Sequence, residues 1–521
     1  MQEQSRASRS FWMATSEIPN FPKLSHDVDD VDVCIVGAGI SGLTTAYLLL
    51  TEGKSVVVLD DGPIAGGETE RTTAHITNVI DDRYFEIERI HGEEHARLAA
   101  ESQTAAIHKI ESIVEREQID CDFARLDGYL FLSPNDSIEL LQKELKALKR
   151  VGFAQVELVD QLPFGTAISA LRFPDQAKFH ILKYLTGLCK AIVREGGNIY
   201  SFEHVEKIED AEMVTVHTSS GRSIRSRSLV VATNSPISDW VKIHTKQAAY
   251  RTYVIGLPVP IGSIPDALYW DTAEPYHYIR LQSTDSSELE MLIVGGEDHR
   301  TGEANDGGER YERLEHWTRQ HFPQASAVEF RWSGQLYEPA DGLGFIGRDP
   351  AHGANVFIST GASGTGMTHG TMSGILLTDL ICGRTNPWAK VYEPTRKPLG
   401  APVEFLKENI NSVAQYAKKL MPGEVDSADD IKPGEGAIIR RGLKQIAAYK
   451  DLDGKVHELS ATCKHLGATV CWNSCEKSWD CPAHGSRYDA SGQVIDGPAN
   501  SNLDPLDSKE DKIEREASLT K

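Results

Sequence analysis

The chain lacks long apolar runs. A membrane-spanning helix needs about 20 uninterrupted apolar residues, and the most apolar window, Val31 to Leu50, is broken by Gly37, Gly39 and Gly42. The opening, MQEQSRASRSFW, has no basic stretch leading into an apolar core, so no secretory signal is expected. Basic charge is scarce too: 54 Lys and Arg face 76 Asp and Glu, a net charge of −22. An acidic surface repels phosphate, which argues against nucleic acid and anionic membranes as partners. A basic protein partner stays open, although acidity that simply aids solubility is the plainer reading. Cysteine is sparse, but Cys463, Cys471, Cys475 and Cys481 crowd into 19 residues. In a reducing cytoplasm, where this chain is expected, such crowding signals metal binding rather than disulfides. Cys34, Cys121, Cys189 and Cys382 sit in apolar surroundings and read as core.

The 521 residues suggest about three to four globular units. Residues 1–28 read as an irregular leader. VDVCIVGAGISGLTTAYLLLTEGKSVVVLDD reads as strand, glycine turn, helix and second strand. Between 250 and 297 the pattern changes to alternating and aromatic strands, an antiparallel sheet. The reading is an α/β domain over 29–105, 165–240 and 335–390, with an interleaved α+β antiparallel-sheet domain over 106–164 and 241–334. A helix (402–421) and linker fill 391–430, a small all-β domain spans 431–508, and a loose charged tail covers 509–521.

Gly37-Ala-Gly39-Ile-Ser-Gly42 is G-x-G-x-x-G between a strand and a helix. Glycine there permits a tight turn and close approach of backbone to a pyrophosphate, with the helix N-terminus facing its charge. Asp60 ends the second strand 18 residues after Gly42, placed to hold ribose hydroxyls. The bland alternative is a glycine turn in an unrelated α/β protein.

GGETERTTAHIT (66–77), WSGQLYEPADGLGFIG (332–347) and GASGTGMTHG (361–370) carry a further signal. Together with the glycine turn they resemble the D-amino-acid oxidase superfamily, which includes glycine, sarcosine and γ-glutamylputrescine oxidases. That resemblance implies a Rossmann-like FAD-binding domain beside a substrate domain. It implies FAD contacts at Thr69, Arg71, Thr72 and Thr73, at Gly361, Gly364, Met367 and Thr368, and at Val205 by its backbone. Gly344 and Phe345 depart slightly from the family pattern. The second glycine cluster lacks a following acidic strand end, so one dinucleotide, FAD, is expected, held non-covalently.

Cys463-Lys-His465 is followed, after fifteen residues, by Cys481-Pro-Ala-His484. Two thiolates and two imidazoles suit a [2Fe–2S] cluster, and neutral imidazole raises its potential into about −150 to +300 mV. A structural zinc site is the alternative. CKHLG, CPAHGS and DGPA resemble the loops of Rieske domains in order. Ala468 and Ala483 stand where respiratory Rieske proteins carry a disulfide, so none is expected. Ser486 and Tyr488 resemble the respiratory hydroxyl pair that hydrogen-bonds the cluster. No role is assigned to Cys471 and Cys475.

The resemblance implies oxidation of a C–N bond of an amine or amino acid by hydride transfer to flavin, with electrons leaving singly through the cluster to an unidentified acceptor. The rival reading is an electron-transfer or redox-sensing protein without an organic substrate. Substrate contacts are expected from YWDTAEPYHYIR (269–280), with His277, Tyr278 and Arg280 foremost, and from Arg251 and His369. Each could instead be packing.

Overall fold

The computed structural model describes residues 8–238, 243–397 and 422–506. Among these, the chain forms two compact units. One holds Arg9–Asp298 and residues 309–397; the other holds Ser8, His299–Gly308 and residues 422–506. The helix expected at 402–421 and the tail at 509–521 lie outside the described residues.

In the first unit the short apolar runs VCIV, VVVL, LVV and VFIST are buried along their whole length. Strands buried on both faces belong in a parallel sheet covered by helices. The order is Phe345–Arg348, Val356–Thr360, Ser223–Val231, Val28–Val36, Val56–Leu59, Asn198–Tyr200, parallel throughout except for the first pair. Helix Gly366–Ile381 crosses helix Ile40–Thr51 by presenting glycines to the β-branched Ile40 and Thr44. A Cβ on Gly370 would meet Ile40 Cγ2 at 2.7 Å, and one on Gly374 would meet Thr44 Cγ2 at 2.8 Å.

The second sheet of this unit runs Phe330–Pro339, Gln247–Pro260, Leu289–Arg300, Tyr278–Ser283, Leu268–Asp271, Ala124–Phe131, Ala170–Lys178, His75–Ile76. Alternation sorts its side chains. On Gln247–Pro260, Val254 joins the core shared with the nucleotide helices, while Tyr253, Ile255 and Leu257 pack with Tyr311 and Leu314 of helix Gly307–His321. Residues 75–76 and 170–178, expected in the nucleotide domain, pair into this sheet instead.

The leader also departs from expectation. Phe11–Thr15 is a helix capped by Ser10, with Phe11 and Trp12 buried. Trp12 Nε1 donates to the Thr72 carbonyl at 2.6 Å, and Ser10 Oγ donates to that of Glu70 at 2.7 Å. The segment is therefore a brace for residues 70–72. Cys34, Cys121 and Cys189 are core, as expected, and burial pushes each thiol up to about 12.

The other unit contains two antiparallel sheets. One is Glu435–Arg441, Lys444–Lys450 and Val456–Ser460; the other is Cys471–Asn473, Ser478–Asp480, Arg487–Asp489 and Val494–Asp496. Trp472 and Trp479 pack edge-on at 4.8 Å in a core with Ile438, Val470 and Tyr488.

Candidate functional site

The glycine turn requires its glycines. Gly37 has φ +102°, and a Cβ there would lie 2.5 Å from the Ala232 carbonyl oxygen. A Cβ on Gly42 would lie 1.9 Å from the Gly37 carbonyl oxygen. The helix that follows has Gly39 as its N-cap residue, which brings no side chain of its own to that end, as suits an end that faces an anion. Thr69 Oγ1 accepts the Ile40 N–H at 3.3 Å, so the 66–77 segment is seated on this turn. Asp60 Oδ2 accepts the Ala38 N–H at 2.7 Å and Oδ1 accepts that of Gly62 at 3.0 Å. Val205 is buried at the start of strand Val205–Glu209, just beyond Glu203, whose N–H donates to the Asp60 carbonyl. These features fit a dinucleotide: a helix end with glycine at its N-cap, a turn no side chain could enter, and a carboxylate at the strand end.

The neighbouring segment is held rigidly. Arg71 Nη1 donates to the Ser333 carbonyl at 2.9 Å, and Trp332 Nε1 donates to the Arg71 carbonyl at 2.8 Å. Thr72 Oγ1 accepts the Ala74 N–H, and Thr73 Oγ1 pairs with His75 Nδ1 at 3.0 Å. Burial, with Arg280 nearby, drives His75 down to about 3. The second glycine loop turns at Gly361 (φ +76°) and Gly364 (φ +71°) into helix Gly366–Ile381, which also lacks a side-chain cap. Met367 and Thr368 lie buried in its first turn, and Thr368 Oγ1 donates to the Thr77 carbonyl at 3.1 Å. The two FAD segments inferred from sequence therefore touch.

The catalytic candidates separate by face. Tyr278 looks toward the nucleotide helices, and Thr252 Oγ1 lies 2.6 Å from its hydroxyl. His277 points the other way. Its Nδ1 pairs with Asp271 Oδ2 at 2.8 Å and its ring stacks on Trp317 at 4.1 Å. Arg280, expected to clasp a substrate carboxylate, has no donor edge left. Nη1 donates to the carbonyls of Thr73, Ala74 and Phe179 at 3.2, 2.7 and 3.1 Å, Nε to that of Leu281 at 3.3 Å, and Nη2 to Gln282 Oε1. Burial lowers this arginine to about 9.

Arg251 is fully buried, with Nη1 on Ser333 Oγ at 2.5 Å and with Nε and Nη2 unpartnered among the described residues. It shares the Tyr253 face, opposite Thr252. His369 is buried with Nε2 unpartnered, beside Ser363 and Gly344 in a small internal cavity. Burial, then Arg396, lowers it to about 4.

Sequence reasoning missed a group of carboxylates on the Tyr278 side: Asp81, Asp82, Glu274, Asp298 and Glu338. The Tyr276 hydroxyl donates to Asp81, and Thr252 donates to Asp298. Burial and mutual repulsion raise all five, Asp81 to about 6 and Asp82 and Asp298 to about 7. They come from four separated stretches of chain, so no local motif could reveal them.

In the smaller unit, Cys463, His465, Cys481 and His484 are all buried. Their two loops repeat one pattern. The Cys463 N–H donates to Ala468 O and that of Gly467 to Cys463 O; the Cys481 N–H donates to Ser486 O and that of Gly485 to Cys481 O, at 2.8 to 3.0 Å. The two thiols hydrogen-bond each other, and the two imidazole rings lie 4.9 Å apart. A pair of thiols beside a pair of imidazoles fits a cluster with one iron on each pair. The Tyr488 hydroxyl is 3.3 Å from Cys463 Sγ and accepts the Lys464 N–H at 3.0 Å. Ser486 Oγ accepts the Ala499 N–H at 3.0 Å and also reaches Cys463.

A nucleotide turn on a doubly wound sheet and a paired thiol–imidazole pocket define a redox protein with two prosthetic groups. Comparison with known families makes both specific. The model described as FAD dependent oxidoreductase (DAO) matches residues 32–380, and that of the Rieske [2Fe-2S] domain matches residues 422–507. The chain belongs to the DAO family of FAD-dependent oxidoreductases and carries a Rieske domain; its cofactors are FAD and a [2Fe–2S] cluster.

The Rieske 2Fe-2S iron-sulfur protein YhfW of Bacillus subtilis (strain 168) is 32% identical over 507 residues, covering 96% of this chain and 98% of its own. The gamma-glutamylputrescine oxidoreductase of Escherichia coli (strain K12) is 27% identical over 375 residues, covering 68% of this chain and 84% of its own. Among solved structures, glycine oxidase from Geobacillus kaustophilus shares the fold at a TM-score of 0.59 and 16% identity, over 71% of this chain and 99% of that one. Among the described residues no helix is long and apolar enough to cross a membrane.

Proposed function

We propose that this protein oxidises a carbon–nitrogen bond of an amine or amino acid and passes the electrons singly, through its Rieske domain, to a separate acceptor. One observation carries the reading: the wall formed by Tyr276, Tyr278 and Thr252 meets the second glycine loop through Tyr276. A Cβ on Gly364 would lie 3.1 Å from the Tyr276 hydroxyl and 2.9 Å from Asp81 Oδ2. A substrate resting on that wall lies beside the loop assigned to the flavin. Two relatives, gamma-glutamylputrescine oxidoreductase and glycine oxidase, carry an amine and an amino acid in their names.

When bound, FAD supplies a hydride acceptor and the cluster a one-electron relay. The substrate's C–H bond breaks with its electron pair leaving as hydride. The nitrogen lone pair closes a C=N bond, the surplus N–H proton passes to water, and a second water hydrolyses the imine to a carbonyl and a free amine. Thr252 has a single hydroxyl proton. Given to Asp298, it leaves the Thr252 oxygen to accept from Tyr278, so the wall has a fixed hydrogen-bond direction. We read Arg280 as a strut that fixes Thr73 and Ala74, in the segment that would hold the flavin, not as a substrate clamp. His277 is assigned to packing on Trp317. Ribose contacts go to Asp60, pyrophosphate to the Gly37–Gly42 turn, and the adenine side to Val205. The free imidazole edge of His369 and the free guanidinium edge of Arg251 are kept as polar contacts near the two faces of the sheet. The cytoplasm, where Cys471 and Cys475 would stay thiols, is the assigned compartment.

An anaerobic screen of amines and amino acids for flavin bleaching tests the reading. Bleaching by at least one, followed by cluster reduction, is expected. Bleaching by none, with reduction by NADH or a ferredoxin, would overturn it in favour of an electron-transfer protein.

A further inference from the structure

Five carboxylates gather beside the Tyr276–Tyr278 wall, and the mechanism above gives them no role as a group. Asp82 and Glu274 are exposed, Asp81, Asp298 and Glu338 half-buried, so the group leads from the surface inward. Asp82 keeps an open surface although the surrounding protein pushes its carboxyl up to about 7. Asp81 abuts Gly364 of the second glycine loop and Asp82 abuts Gly342, which places the group at the wall already assigned to substrate.

Cations are few here. Arg83 and Arg310 are the basic side chains felt by the group. Arg83 donates an Nη1 hydrogen bond to the Asp81 carbonyl and Arg310 one to the Glu297 carbonyl. A second observation points to an occupant. Asp298 Oδ1 is buried with no hydrogen-bond partner among the described residues. A buried acceptor without a donor is costly, and five crowded carboxylates facing two arginines more so. A ligand that brings N–H donors and positive charge removes both costs at once.

We propose that the substrate is a di- or polyamine that carries no carboxylate, and that its remote ammonium group is held by Asp81, Asp82, Glu274, Asp298 and Glu338 while its neutral amine end is oxidised. This rests on the amine-oxidation reading above and narrows it. A carboxylate-bearing amino acid would meet repulsion on this wall, and Arg280 is spent on backbone carbonyls. Tyr276 and Tyr278, with ring centroids 5.4 Å apart, offer aromatic faces along the path, which also favour a cation.

The test uses the FAD- and cluster-loaded full chain under anaerobic conditions. Flavin bleaching is timed with 1-aminobutane, 1,4-diaminobutane and 4-aminobutyrate, and with longer members of each series. These differ only in a terminal methyl, ammonium or carboxylate. The diamines are expected to react at least about tenfold faster per molar than the monoamines, a ratio worth one well-placed ion pair, with the amino acids slowest. In Asp82→Asn, an exposed change that spares the fold, and in Glu338→Gln, the diamine-to-monoamine ratio should fall toward one. Equal or better reaction of the monoamines or amino acids overturns the proposal while leaving amine oxidation intact. If no amine bleaches the flavin, the amine-oxidation reading fails. Calorimetric titration with 1,4-diaminobutane then decides the cation site: heat of binding that Glu338→Gln abolishes supports it, and no binding overturns it.

Discussion

Tyr278 reaches Thr252 across an intervening strand, because the residue between them is Gly295. The hydroxyls lie 2.6 Å apart, although strand Leu289–Arg300 separates the two strands that carry them. A Cβ on Gly295 would sit 2.1 Å from the Tyr278 ring. The missing side chain therefore lets the Tyr278–Thr252 pair form. Gly295→Ala is expected to expel the ring, at the roughly 1–3 kcal/mol typical of overpacking. Denaturant unfolding measures that cost. Amine-dependent bleaching should slow at least about tenfold while the purified protein keeps its FAD.

Arg280 should matter for flavin retention. Arg280→Leu leaves three or more buried carbonyls without a donor, each worth about 1–3 kcal/mol. Apparent Tm should drop, and FAD should be lost on gel filtration. Trp12→Phe, which removes the bond to Thr72 and part of the ring that packs on Arg280, should show a milder loss of the same kind.

The carboxylate group predicts a pH signature. Asp81, Asp82 and Asp298 are raised from an ordinary 3.8 to about 6, 7 and 7. Facing them are Glu274, Glu338, Asp341, Arg83, Arg310, Tyr276 and Tyr278. Between about pH 4 and 7 the folded chain holds protons that the unfolded chain has released, so these groups make stability fall as pH rises through that window. Scanning calorimetry of the wild type at pH 5 and 7.5, against Asp82→Asn and Asp298→Asn, isolates the effect. Each variant should recover roughly a few °C of Tm at pH 7.5 and little at pH 5. Equal gains at both pH values would contradict the assignment.

Tyr488 should tune the cluster. Its hydroxyl points at Cys463 Sγ from 3.3 Å. A hydrogen bond to a ligand sulfur stabilises the more negative, reduced cluster. Tyr488→Phe is expected to lower the reduction potential by tens of millivolts, as roughly one such bond would, without loss of iron. Redox titration followed by EPR reads it. Replacing Cys463 with Ser, by contrast, should abolish the cluster signal and leave the flavin spectrum in place.

Local chemistry was legible in the sequence. Gly37, Gly39 and Gly42 declare a nucleotide turn because one loop supplies every steric requirement. Cys463, His465, Cys481 and His484 declare a cluster because each loop carries a thiol and an imidazole at fixed spacing. The strand and helix order of the nucleotide domain followed from apolar runs and periodicity. What the sequence hid depends on which strands become neighbours and which face each presents. Arg280 looked like a free clamp until the fold brought three carbonyls to it, and Trp12 looked like part of a loose leader until Thr72 gave it an acceptor. Asp298 and Glu338 stand on separate strands of the second sheet and Asp81 and Glu274 in connecting segments, so they join only when the whole domain folds. Side-chain chemistry and short spacings are written in the sequence; charge accumulated across a sheet depends on register and packing, which only the tertiary structure decides.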